Sequence, residues 1–254
     1  MRTRLLNAAR GLVVPIGLLA MLEIYMRGPG KSSDSLAAPT AAARSLGRAL
    51  VDGSLLQGTL FTLGSAALGL AIALIAGTLF GIWLGLSRRA DAWSFLTIEV
   101  LRPIPSVALI PLAMLVFGFG VRMESAVVAF AVFWPILVLA QAAARQVDMR
   151  LLEVADALSL SPLARVVKIV LPAMVARLFV AVRLGMAIAL VVAVTVEIAA
   201  NPHGMGYAMI VAQQSLDPAL MLAWLFWIAV VGYLINLLAL MLERRVARAM
   251  GAAT

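Results

Sequence analysis

The chain has 254 residues, of which 64% are hydrophobic, and its formal net charge is +8. A water-soluble core cannot bury so large an apolar fraction, so the composition predicts an integral membrane protein. The 20 Lys and Arg residues lie in short segments between apolar runs, which argues against a nucleic-acid-binding protein. Because the chain has no cysteine and one histidine, we exclude disulfides, thiol catalysis and His-rich metal sites.

The N-terminal segment combines arginines with an apolar run over residues 12–26. This pattern is typical of a secretory signal peptide, but Arg27 follows the run directly, and the small residues at 41–43 lie too far away for cleavage. We therefore expect a retained membrane helix and an external loop, together residues 1–53, in front of a transmembrane domain over residues 54–248.

Five more apolar runs divide the rest of the chain, so the predicted fold is an all-α integral membrane protein with about six transmembrane helices. The runs cover residues 55–86, 98–117, 125–143, 173–199 and 219–242. A helix needs about 20 residues to cross a bilayer. The first run has only 15, so five spans remain an alternative. We find neither an internal repeat nor a separate soluble domain.

The distribution of Lys and Arg predicts that both termini are cytoplasmic. In this orientation the inner segments hold twelve basic residues and the outer segments five, as the enrichment of positive charge on the cytoplasmic side requires. The polar segment at about 145–172 is then a cytoplasmic loop. Its short helix-forming stretch, residues 153–159, has no obvious packing role, which indicates a surface that another protein binds.

Glycines and prolines mark two of the spans. Three glycines at four-residue spacing lie on one face of the second span, where they favour close helix packing, with a gating or dimer seam as the alternative. They are Gly77, Gly81 and Gly85. In the third span Arg102 precedes Pro103 and Pro105. This predicts either a broken helix that lines a pathway or a helix that starts at Pro103, with Arg102 reaching towards the inner surface.

Charged residues within the fifth span indicate a polar face. Arg183 and Glu197 are 14 residues apart, which places them about 40° apart around a helix and ~21 Å apart along it. We expect them to line a translocation path, with pairing to another helix as the alternative. The glycine-rich segment 204–207 then predicts a turn into a short re-entrant or interfacial helix. The candidate pathway or gate residues are Arg102, Arg183, Glu197, Met205 and Tyr207.

Two enzymatic interpretations fail on the residues themselves. The sequence Gly30-Lys31-Ser32 has the form of the end of a phosphate loop, but Tyr25 stands where that loop requires glycine, and no strand precedes it. Intramembrane proteolysis would need a serine and a histidine at the same depth, and His203 lies in a turn at the end of a span. We therefore expect no catalytic residue and no metal site in this chain.

The loop from Glu153 to Pro172 resembles the signature loop of ABC importer permeases, which reads Glu-Ala-Ala, three residues, Gly, nine residues, Ile, one residue, Leu-Pro. The spacing is kept throughout, while Val154 replaces an alanine and Ser159 replaces the glycine. Residues 101–105, 111–112, 117–120 and 197–207 are similar to the nitrate/sulfonate/taurine group of these permeases. The resemblance covers about residues 55–245.

This resemblance implies a transport subunit in the bacterial cytoplasmic membrane, surrounded by lipid, rather than an enzyme. Two permease copies would form a central path, and an ATPase dimer that binds ATP and Mg²⁺ would receive the short cytoplasmic helix of each copy. A solute-binding protein would deliver the solute from outside, and this chain would bind no cofactor. The residues implied in ATPase coupling are Glu153, Ala155, Asp156, Ala157, Leu158 and Ser159.

The implied solute is a small anion such as a sulfonate, taurine or nitrate. A pyrimidine vitamin precursor or an aromatic acid is an alternative within the same group. A secondary transporter is a further alternative, although it would carry internal repeats and a coupling-ion site, and the sequence shows neither clearly.

Overall fold

The computed structural model describes residues 2–28 and 36–249, and across this part of the chain it is all helical, without a strand. This confirms the predicted all-α class. The helices are α1 Arg2–Arg27, α2 Pro39–Val51, α3 Ser54–Leu86, α4 Arg88–Leu101, α5 Ile110–Phe117, α6 Val121–Arg145, α7 Met149–Ala157, α8 Pro162–Arg165, α9 Leu171–Ala199, α10 Gly204–Gln214 and α11 Pro218–Ala249.

Four helical segments of the described chain are long and apolar enough to cross a membrane. They are α3, α6, the continuous stretch Pro162–Ala199 and the segment Pro218–Arg245 of α11. The α4–α5 pair adds a fifth if it counts as one span. Helix α1 has 26 residues, so it is about 39 Å long, enough to cross a bilayer. The predicted number of six spans is therefore approximate.

The predicted external loop of the N-terminal region contains a helix that the sequence analysis missed. Helix α2 begins with Pro39 at its first turn, where the missing proline N–H removes no helical hydrogen bond. It buries Ser45 and Ala49 and packs against α3 and α11. In the turn that follows, hydrogen bonds from Ser54 lower the pKa of the Asp52 carboxyl. The phosphate-loop-like residues 30–32 lie outside the described part.

Helices α3 and α6 pack closely against each other, because the glycine face of α3 contacts α6. A Cβ added at Gly81 would lie 2.6 Å from the Cβ of Ala140, and one added at Gly85 would lie 2.5 Å from the Cβ of Ala144. Neither position leaves room for any side chain. The prediction of close helix packing is therefore confirmed, and the buried core of α3, α6 and α9 is built around this contact.

The predicted third span is broken, and its first half does not continue into the second. Helix α4 ends at Leu101, a 3₁₀ turn follows at Ser106–Leu109, and α5 continues from there, with a bend of 83° between the two halves. Pro103 and Pro105 explain the break, because neither can donate a helical hydrogen bond. Asp91 fastens α4 to α6 through Gln141 and Arg145. The alternative prediction, a helix that starts at Pro103, is therefore wrong, and the predicted break in the helix is present.

Candidate functional site

The short helix of the loop at about 145–172 begins four residues earlier than predicted. Asp148 caps it, because its Oδ1 accepts a hydrogen bond of 2.9 Å from the N–H of Arg150. Helix α7 therefore covers Met149–Ala157 rather than starting at Glu153. The cap fixes where the helix starts, and the next feature fixes where it stops.

Ser159 takes the backbone conformation that the glycine of the signature loop would favour. Its φ is +49°, in the left-handed region. The N–H of Leu160 donates to the Ala155 carbonyl at 3.0 Å, and the N–H of Ser159 donates to the Asp156 carbonyl at 2.9 Å. These two bonds make a Schellman motif, the usual way in which a glycine ends a helix. Replacing glycine by serine has therefore kept the turn, at a cost of about 1 kcal/mol.

Five of the six predicted coupling residues are exposed on this loop, and the sixth is not. Glu153, Asp156, Ala157, Leu158 and Ser159 are exposed, whereas Ala155 is fully buried. Leu158 is 64% exposed, and the same loop also exposes Val154 at 50% and Leu163 at 74%. Ala155 therefore packs the helix against the rest of the protein, and the other five residues face outward.

An ion pair and a π-helical turn connect the loop to the fifth span. Asp156 accepts a hydrogen bond of 2.9 Å from Arg165 on α8, and a π turn at Val166–Val170 leads into α9 without a break in the helix. Val170 and Met174 are fully buried in one cluster with the C-terminal end of α6. The Asp156–Arg165 pair thus links α7 to the continuous helical stretch Pro162–Ala199.

Glu197 is buried at the far end of α9, where it joins three helices. Its Oε1 accepts a hydrogen bond of 2.6 Å from the Thr62 hydroxyl of α3, and its Oε2 accepts one of 2.7 Å from the N–H of Gly206 in α10. The N–H of Met205 in turn donates to the Thr62 oxygen at 3.0 Å. A Cβ at Gly204 would lie 1.9 Å from Glu197 Oε1. The glycines of segment 204–207 are therefore required by the carboxylate beside them.

A second buried carboxylate lies close to this cluster, and the sequence analysis missed it. Glu124 at the start of α6 is fully buried, and its Oε2 accepts a hydrogen bond of 2.6 Å from the Asn201 amide. The predicted fourth span began at Ser125, which left Glu124 in a loop. The signal that would have found it is an acidic residue that continues an apolar run, since a charge inside a span requires a partner.

Arg183 contacts α11 and not Glu197. Its Nη1 lies 3.5 Å from Glu243 Oε2, and its Nε lies 3.4 Å from Asn236 Oδ1. Glu197 instead contacts α3 and α10, so the structure does not bring the two residues onto one polar face. These contacts of Arg183 fit the alternative interpretation, in which this residue pairs with another helix.

The remaining pathway candidates occupy three different environments. Met205 is fully buried in an apolar cluster with Leu55 and Trp224. Tyr207 is 39% exposed and lines a cavity of about 270 Å³ with His203. Arg102 lines a separate cavity of about 460 Å³ at the break between α4 and α5. Met205 therefore packs α10 against α3 and α11, while Tyr207 and Arg102 face open space.

Comparison with known proteins identifies one protein family that matches this chain. A family model described as "Binding-protein-dependent transport system inner membrane component" matches residues 77–248. The putative aliphatic sulfonates transport permease protein SsuC of Bacillus subtilis is 27% identical over 236 residues, which is 93% of this chain and 86% of that protein. The taurine transport system permease protein TauC of Escherichia coli is 27% identical, over 77% of this chain and 71% of that protein.

A further relative has a different solute in its name. The bicarbonate transport system permease protein CmpB of Synechococcus elongatus is 28% identical, over 81% of this chain and 74% of that protein. Among solved structures, a chain of the inward-facing MetNI methionine ABC transporter superposes with a TM-score of 0.66 at 20% identity. It covers 76% of this chain and 95% of that chain, and at this identity it supports the fold alone.

Proposed function

Because this chain belongs to the family of binding-protein-dependent transport system inner membrane components and is an ABC importer permease of the nitrate/sulfonate/taurine family, we propose that it forms the translocation path for a small anion. It is a multi-pass inner-membrane transport component. The proposal places residues 54–248 in the transporting domain, with both termini and the loop at about 145–172 in the cytoplasm.

The exposed C-terminal end of α7 supports our proposal that a separate ATPase drives transport. Leu158 projects from a helix that is capped at both ends and held by the Asp156–Arg165 ion pair. An exposed apolar residue on a rigid element is typical of an anchor that fills a pocket in a partner. We assign the partner as an ATPase subunit that binds ATP and Mg²⁺, one for each of two permease copies, with a solute-binding protein on the outer side.

The solute proposed for this path is a sulfonate, taurine or another small oxyanion. The names of the relatives support this range, since they include aliphatic sulfonates, taurine and bicarbonate. Each of these solutes carries an acidic oxygen-rich group and has a low molecular weight. A positively charged side chain on the path is therefore expected, and Arg102 is the residue that we assign to it.

The test is to purify the chain from its native membrane in mild detergent and identify the proteins that remain bound. We expect an ATPase subunit with the wild type and its loss with Leu158→Asp, because a carboxylate in an apolar pocket leaves a buried charge without a partner. Solute uptake should fall to background while the amount of permease in the membrane is unchanged.

The matched control is Leu216→Asp, which changes another exposed leucine, 72% exposed, in the turn between α10 and α11. This variant should keep the ATPase. If the wild type retains no ATPase, or if Leu158→Asp supports normal uptake, the assignment of α7 to coupling is wrong.

A further inference from the structure

A cavity of about 460 Å³ opens where the chain breaks between α4 and α5. Its walls include Trp134 and Ile188, which lie near the midpoints of α6 and α9. The cavity therefore lies at mid-membrane depth, and its volume is within the range of sites for small molecules. Nothing in the coupling loop or in the Glu197 cluster contributes to it.

Arg102 is the only charged residue among the described residues that line this cavity. A charge at such depth is costly unless it faces protein or water. Its one ion pair among the described residues is with Glu99 at 3.6 Å. This separation is longer than a hydrogen bond, so the guanidinium N–H groups remain available to an anion. Ser106, on the same wall, adds a hydroxyl donor.

The rest of the wall is apolar. Phe130 and Trp134 pack edge to face with ring centroids 5.6 Å apart, and Leu184, Ile188 and Val192 of α9 close the opposite side. Such a surface offers nothing to an inorganic ion. An alkyl group gains about fourfold in affinity for each methylene that it buries.

We propose that this cavity is a solute site on the translocation path and that it selects organic anions with a short alkyl tail over inorganic anions. The guanidinium of Arg102 binds the oxyanion head, since its fork of N–H groups matches two oxygens at once. Ser106 donates to the same head, and the tail lies along Phe130 and Ile188. This inference rests on the proposed function, which it narrows from small anions to alkanesulfonate-like anions.

The experiment measures binding to the purified permease, together with any ATPase that accompanies it, in lipid nanodiscs without a solute-binding protein. Calorimetric titration uses butanesulfonate, methanesulfonate, nitrate and bicarbonate as probes. We expect butanesulfonate to bind roughly fiftyfold more tightly than methanesulfonate, from three added methylenes, and nitrate and bicarbonate to bind more weakly still.

Two variants locate the anion. Arg102→Gln should weaken butanesulfonate binding at least tenfold, because it removes a charge-assisted hydrogen bond. Arg122→Gln removes an exposed arginine at the start of α6 and should leave binding unchanged. A change in Trp134 fluorescence on addition of butanesulfonate, absent in Trp134→Phe, would place the probe in the cavity.

Two results would overturn the proposal. Equal affinities for nitrate and butanesulfonate would mean that the apolar wall does not discriminate between inorganic anions and anions with an alkyl tail. Binding that grows with chain length but is unchanged in Arg102→Gln would identify the cavity as a place for an apolar chain, such as a lipid tail. ATP hydrolysis stimulated by a loaded binding protein, measured on the assembled importer, tests the proposed function separately. An importer that hydrolyses ATP but fails to bind butanesulfonate contradicts the cavity assignment alone.

Discussion

At the scale of single residues, two buried glutamates determine the structure where α6 begins and α9 ends. Glu197 and Glu124 sit on different helices, and each accepts hydrogen bonds from residues remote in sequence, namely Thr62 with Gly206 and Asn201. Glu197 uses both of its carboxylate oxygens in these bonds, whereas Oε1 of Glu124 has no hydrogen-bond partner among the described residues. These residues therefore connect α3, α6, α9 and α10 where apolar packing alone would let them slide.

Glu197→Ala should lower the free energy of unfolding of the permease more than the removal of an exposed acidic side chain does. The variant leaves the Gly206 N–H without its acceptor and the Thr62 hydroxyl with only the Gly58 carbonyl, and an unpartnered buried group costs about 1–3 kcal/mol. The measurement is the midpoint of thermal unfolding in detergent. Glu99→Ala, at an acid that is about half exposed, is the control and should unfold close to the wild type. Equal midpoints for the two variants would refute a structural role for Glu197.

At the scale of elements, the contact between α3 and α6 depends on the absence of side chains. The glycine face lets the backbone of α3 approach the backbone of α6. A Cβ added at Gly81 or Gly85 would clash with α6. In a membrane, where water does not drive helices together, such close packing supplies much of the attraction between them. Helix α3 also carries Thr62, which contacts Glu197 of α9, and α6 forms one wall of the Arg102 cavity.

Gly81→Leu should force α3 and α6 apart and destabilise the protein. Overpacking in a tight core costs about 1–3 kcal/mol, and a helix seam with neighbours at 2.6 Å cannot relax without moving a whole helix. We expect less permease in the membrane and a lower unfolding midpoint. The control is Gly64→Leu on the same helix, since a Cβ there meets nothing within 4 Å. If both variants behave alike, the α3–α6 contact is not a packing seam.

At the scale of the whole molecule, the loop that carries α7 and the turn between α10 and α11 lie at opposite ends of the long helices. Helix α9 runs from the first region towards the second as part of one continuous stretch, Pro162–Ala199. Under the proposed orientation α7 faces the cytoplasm and α10 faces outward. Movement imposed on α7 would then reach the Glu197 cluster through a single helix.

The chain contains no cysteine, so single cysteines report this orientation without a background. Leu216→Cys and Arg122→Cys should react with a membrane-impermeant maleimide in intact spheroplasts, because both positions are exposed and the proposed orientation places them outside. Arg248→Cys, at the C-terminal end of α11, should react only after the membrane is permeabilised. The reverse pattern would place α7 outside and exclude its contact with a cytoplasmic ATPase.

The sequence by itself determined the membrane class, the long spans, the glycine seam and the family, because hydropathy and motif spacing are local and additive along the chain. The tertiary structure alone decided that Ala155 is buried while Leu158 is exposed, that Glu124 joins Asn201, and that Arg183 contacts α11. It also placed Arg102 in a cavity with residues of α6 and α9. These facts depend on how separate helices rotate against each other, and no local pattern contains that rotation.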